Sequence, residues 1–136
     1  MESDRVTLVR SDELTEAAPY AYAALPPAGA RLIFTAGACP LDETGATVAP
    51  GDVAAQAEQV MANLGAALRA AGADLGDVLK TTVYVATARR DDLVAAWDVV
   101  RRHFGDHDAP STLLGVSVLG YPDQLVEVEA VAALRG

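Results

Sequence analysis

Stretches that alternate between apolar and polar residues are interrupted twice along the chain by segments repeating every three to four positions. Val6-Thr7-Leu8-Val9 predicts a short edge strand. Residues 20–25 and 32–36 predict two further strands. Pro26-Pro27-Ala28-Gly29 between them predicts a turn, because neither proline can donate to a ladder, and the two strands together suggest a hairpin. A long helix follows Asp52, a suitable N-cap, with Val53, Ala57, Val60, Met61, Leu64, Leu68 and Ala71 on its apolar stripe and Gly72 as its stop. Gly65 inside it predicts a close contact with the sheet. Residues 78–86, rich in β-branched side chains, predict the strongest strand. In the second helix Asp91 or Asp92 is the expected cap, Leu93, Ala96, Trp97, Val100 and Phe104 form the stripe, and Gly105 closes it. Strands over 112–118 and 125–134 complete the order β-β-β-α-β-α-β-β.

That order predicts an α+β domain spanning residues 1–136, with one mixed sheet and two helices packed on one face. The last two strands carry apolar residues at both parities, so the face holding Leu113 and Val131 is expected to lack cover within the chain. Self-association is the simplest way to bury it. The composition sharpens this expectation. The 136 residues are 51% hydrophobic, yet include only two Phe and one Trp, so individual side chains bury little area in an already small domain.

Charge narrows the partners. Ten Lys and Arg against nineteen Asp and Glu give a net charge of -9, which argues against binding to nucleic acid. The apolar runs are too short to cross a membrane, and Met1-Glu2-Ser3-Asp4-Arg5 is polar where a signal peptide needs an apolar core, so a cytoplasmic protein without membrane contact is expected. One cysteine and two histidines do not suit a structural zinc site, and the glycines lack nucleotide-loop spacing, so neither metal nor cofactor is expected. Glu127 and Glu129 share one side of the last strand, about 6.5 Å apart by strand rise, an arrangement suited to general acid or base work. Cys39 has no histidine near it in sequence to activate it. His103 and His107 read as surface histidines.

The chain resembles the RidA/YjgF family of small trimeric imine and enamine deaminases. The resemblance runs from about Thr7 to Ala133. It is carried by Pro19-Tyr20, Phe34-Thr35-Ala36-Gly37 with Pro40, Gln56, Asn63-Leu64, Ala70-Ala71-Gly72, the run from Val78 to Val85, and the closing Val126-Glu127-Val128-Glu129-Ala130-Val131-Ala132. It implies a chorismate-mutase-like fold. Three copies are expected to form a barrel with the helices outside and a small-molecule cleft between each pair of subunits.

The resemblance also implies a site. Glu127 matches the glutamate that positions or activates the hydrolytic water. Tyr20, Gly37, Ala38, Cys39, Trp97, Ser111 and Thr112 fall at positions lining the cleft. Several depart from the family pattern. Pro110-Ser111-Thr112 has threonine where active deaminases carry the arginine that grips the carboxylate of a 2-imino acid, and Leu114 replaces a cysteine. Ala36-Gly37-Ala38 stands for Ser-Gly-Gln, and Trp97 stands for asparagine. A threonine hydroxyl is a single neutral donor in place of a bidentate charged fork. The expected substrate is therefore less anionic than a 2-imino acid, hydrolysed at a C=N bond with Glu127 orienting water. A trimeric binding protein without catalysis, or a specialised biosynthetic enzyme on the same scaffold, remains an alternative. The ribonuclease activity described for some family members does not suit the acidic charge.

Overall fold

The computed structural model of the chain describes residues 5–135. Its elements are β1 (Thr7–Val9), β2 (Ala23–Leu25), β3 (Arg31–Phe34), α1 (Val53–Ala70), β4 (Val78–Ala86), α2 (Arg90–Phe104), β5 (Ser111–Val116) and β6 (Val126–Leu134), with a 3-10 turn at Leu75–Asp77. The α+β order is the expected one; the pairing differs. There is not one sheet but two: β1 and β2 form a separate antiparallel pair, while the main sheet runs β3-β6-β4-β5. The anticipated β2–β3 hairpin is absent. β3 instead pairs antiparallel with β6, from Arg31 opposite Leu134 to Phe34 opposite Val131. The two prolines and a turn closed by Ala30 N–H on the Pro27 carbonyl (3.1 Å) redirect the chain between sheets.

The central strands are β4 and β6, and burial alternates along both. A bulge between Val78 and Lys80 sets the register of β4. Beyond it Thr81, Val83 and Val85 face the helices, and Lys80, Thr82 and Tyr84 face away. Against the covered face pack Val60, Met61, Leu64 and Leu68 from α1 and Ala96, Val99 and Val100 from α2. Each fully buried Val, Leu or Met there contributes roughly 1.5–3 kcal/mol.

The Asp52 carboxylate caps α1 by accepting from Ala55 N–H at 3.0 Å, and Gly72, at φ 94°, ends it in the left-handed region. Gly65 does not meet the sheet. A β-carbon there would approach the Arg69 guanidinium at 3.1 Å. The α2 start also differs from expectation: Arg89 is the N-cap residue and offers no side-chain bond. The Thr87 hydroxyl instead accepts from Arg89 N–H and donates to Asp92.

Leu113 corrects the reading of the uncovered face. It pairs with Val83 and packs against the helix-side core. Its neighbour Leu114, 44% exposed, lies on the open face with Val131, Leu32 and Phe34, the last 72% exposed. No helix among the described residues is long and apolar enough to cross a membrane.

Candidate functional site

Glu127 occupies a small, closely specified nook. The chain after β3 continues alongside β6, with Ala38 and Val128 exchanging backbone bonds of 2.7 and 3.2 Å. This brings Gly37 and Cys39 to either side of the carboxylate. A β-carbon on Gly37 would stand 2.1 Å from Glu127 Oε2, so the approach requires glycine. The other oxygen is anchored. Gln124, only 4% exposed, donates to Glu127 Oε1 at 3.0 Å and to the Val126 carbonyl, while its own oxygen accepts from Tyr121 N–H. The Cys39 thiol also donates to Oε1, at 3.4 Å. Burial, and then the hydrogen bond and negative charge of Glu127, push that thiol up to about 11. At neutral pH it is a donor rather than a thiolate nucleophile.

Two amides of α1 hold the loops that make this nook. Asn63 donates to the carbonyls of Cys39 (2.8 Å) and Leu41 (2.9 Å). Gln56, fully buried, accepts from Leu125 N–H at 2.7 Å and donates to the carbonyls of Asp123 (2.9 Å) and Ala49 (3.3 Å). The result is a carboxylate with one oxygen fixed and the other lying over a glycine. That geometry can orient a water and accept its proton.

Thr112 belongs to different surroundings. An open cavity of about 540 Å³ is lined by Pro19, Tyr20, Trp97, Ser111, Thr112 and Leu113. Tyr20 and Trp97 meet edge-on, with ring centres 6.4 Å apart and planes at 81°. Trp97 is half-buried, packing against the helix-side core while it borders this cavity. Ser111 Oγ accepts from the buried Thr81 hydroxyl at 2.7 Å, and Thr112 Oγ1 accepts from Lys80 Nζ at 2.8 Å. Lys80 also donates to the Thr81 carbonyl. Burial lowers its pKa, while the charge of Glu129 acts in the opposite direction. Glu129 accepts from the Tyr84 hydroxyl at 2.5 Å and thereby raises the tyrosine's pKa.

Tyr20, Trp97, Ser111 and Thr112 thus come together, as do Glu127, Gly37 and Cys39. The Ala38 side chain turns to the core, leaving its peptide at the nook. The two groups do not meet within one chain. In register Thr112 lies beside Thr82 and Glu129, not Glu127, which puts Thr112 and Glu127 about 12 Å apart by strand spacing and rise. Arg89 pairs with Asp91 at the surface, His103 with Glu58, and His107 with the Val78 carbonyl. Among the described residues no group of three or more His, Cys, Asp or Glu could hold a metal ion.

Sequence reasoning passed over Gln124 and Lys80. The parity of β4 places Lys80, Thr82 and Tyr84 on one side, a usable signal, but not the strand order that sets Lys80 beside Thr112. Gln124 has no comparable signal, because its role depends on a turn that returns its amide to Glu127.

A family profile described as Endoribonuclease L-PSP matches residues 11–134. A RutC family protein of Pyrococcus horikoshii is 36% identical over 100 residues, 74% of this chain and 77% of that protein. An Escherichia coli protein named 2-iminobutanoate/2-iminopropanoate deaminase is 36% identical over 106 residues, 76% of this chain and 80% of that one. The crystal structure of a Rid family protein of unknown function from Yersinia pestis superposes with a TM-score of 0.88 at 29% identity, covering 96% of this chain and 99% of that one.

Proposed function

The chain belongs to the RidA/YjgF family, and from that premise we propose that it hydrolyses the C=N bond of a small imine or enamine tautomer, with Glu127 as the water-orienting base. The observation that carries this reading is the asymmetric anchoring of Glu127: Gln124 and Cys39 both donate to Oε1, while Oε2 lies over Gly37. Oε2 takes a proton from water as the oxygen adds to the imine carbon and returns that proton to the nitrogen, then relays the carbinolamine hydroxyl proton to the departing amine. The carbinolamine then collapses, so that imine plus water gives a carbonyl compound plus ammonia. A deaminase name on a relative 36% identical supports the same chemistry.

The working unit in this proposal is a homotrimer with the ligand in clefts between subunits. Two observations support it: the uncovered Leu32, Phe34 and Leu114, and the separation of Thr112 from Glu127 within one chain. Sedimentation equilibrium should give three times 14.1 kDa, about 42 kDa. A monomer at micromolar concentration contradicts it.

The substrate in this reading is less anionic than a 2-imino acid. The residues lining the cavity carry no charge among those described, and the Lys80 ammonium beside Thr112 also donates to the Thr81 carbonyl and feels the opposing charge of Glu129. Binding without turnover is the second reading, favoured by the neutral Thr112. Ammonia release from imines generated in situ decides between them: release by the wild type that disappears in Glu127→Gln supports hydrolysis, and ligand binding with no release supports the alternative.

A further inference from the structure

The cavity beside Thr112 is built unlike a carboxylate site. Its volume of about 540 Å³ falls within the roughly 300–1,000 Å³ of pockets for drug-sized ligands, and a cavity of about 150 Å³ already holds benzene. Tyr20 is fixed edge-on to Tyr22 on one side (6.1 Å, 80°) and to Trp97 on the other (6.4 Å, 81°), so two perpendicular rings form a standing corner. Pro19 and Leu113 complete an apolar wall. Aromatic rings pack best edge-to-face or offset, which suits a third ring in such a corner.

The polar groups are few and directed. Ser111 Oγ accepts from the Thr81 hydroxyl and keeps its own O–H as a donor. Lys80 fills a lone pair of Thr112 Oγ1, which leaves the Thr112 O–H as a donor for a ligand. A carboxylate here would be held by no bidentate cation: the one adjoining cation, Lys80, is already committed to Thr112 Oγ1 and the Thr81 carbonyl and is offset by Glu129. A neutral acceptor meets no such cost.

We propose that this corner is a subsite for a neutral, ring-bearing compound whose carbonyl or amide oxygen accepts from the Thr112 hydroxyl while its ring lies against Trp97 and Tyr20. This deepens the reading above, since it takes the Thr112 cavity as the substrate end of the site and assigns its ligand class.

Three probes separate ring from charge: benzamide, benzoate and acetamide, titrated against Glu127→Gln protein. Binding is followed by fluorescence of the sole tryptophan, Trp97, and by calorimetry. Benzamide should bind at least tenfold more tightly than either of the others and perturb the Trp97 emission. Thr112→Val, at an exposed position, should weaken benzamide about three- to tenfold. Trp97→Leu, read by calorimetry, should weaken it by tenfold or more. Equal or tighter binding of benzoate or acetamide overturns the proposal, as does benzamide affinity unchanged in Thr112→Val. Because these titrations use protein disabled for turnover, they stand apart from hydrolysis. Benzamide binding with no ammonia release by the wild type would support the subsite and remove only the hydrolytic reading.

Discussion

Around Glu127, an amide and a thiol donate to one carboxylate oxygen, a glycine makes room for the other, and two α1 amides secure the loops behind them. Around Thr112, two aromatic rings and a leucine border a wide cavity, and the polar groups are hydroxyls that accept from Lys80 and Thr81 and keep their own O–H to donate. The first environment fixes a carboxylate in position through contacts on both of its oxygens. The second presents a shaped apolar surface and can exchange ligands by exchanging side chains. In the proposed reading chemistry belongs to one end of the sheet face and selectivity to the other, about 12 Å away by strand geometry.

The largest expected effect falls on the nook. Glu127→Gln keeps the shape and hydrogen-bonding capacity but removes the base, and ammonia release should fall about 100- to 10,000-fold. A variant retaining wild-type turnover would move the chemistry elsewhere.

A second effect tests the other end. A buried charged hydrogen bond to a carboxylate typically contributes about 2–5 kcal/mol, or roughly 30- to 5,000-fold in rate. Hydrolysis of 2-iminopropionate should be slower by a factor in that range than in an arginine-bearing relative assayed alongside. Thr112→Arg should recover measurable turnover, and Thr112→Arg with Glu127→Gln should lose most of the gain. Efficient turnover by the unmodified chain would mean that another cation, Lys80 first, supplies the missing charge despite the nearby Glu129.

Cys39 offers a pH readout of the nook. Alkylation needs the thiolate, and the rise from an ordinary 9.0 to about 11 leaves about 100-fold less of it at pH 8. Iodoacetamide labelling should be slower than for an ordinary thiol by that factor, speeding up as pH climbs toward 11. Glu127→Gln removes one cause of the rise and should accelerate labelling at pH 8. Fast labelling of the wild type would mean that Cys39 does not sit against the carboxylate. A last effect is structural and falls outside the site. Gln56→Ala leaves the Leu125 N–H and two carbonyls without their partner and should destabilise the fold by about 2–4 kcal/mol, read as a lower urea midpoint at unchanged slope.

How much of this could be read beforehand follows the same division. The β4 limits, the parity of Val126, Glu127, Val128 and Glu129 and most of the helix stripes depend on local periodicity and appear in the structure, although Ala71 caps α1 exposed and Val99 joins the buried face of α2. Strand partners depend on distant contacts, so the β2–β3 hairpin gave way to separate β1–β2 and β3–β6 pairings. The same limit put Leu113 on the wrong face, because only its pairing with Val83 shows which parity the helices cover. Candidate residues were legible as types in their family positions. Their grouping was not: Cys39 reaches Glu127 across 88 residues and Lys80 reaches Thr112 across 32, separations that no sequence period reports. The Trp97 stripe was visible, but its outward tilt onto Tyr20 rests on aromatic packing between α2 and the segment before β2.

The central claim is that the two ends act together only when different copies of the chain meet. Subunit mixing tests it most directly. Glu127→Gln, lacking the base, and Thr112→Trp, with its cavity filled, should each be nearly inactive when assembled alone. Unfolded together in equal amounts and refolded, they should regain about a quarter of wild-type ammonia release, because random assembly pairs an intact nook with an intact cavity in that fraction of clefts. Activity no higher than that of the separate variants would contradict the account and confine the site to a single chain.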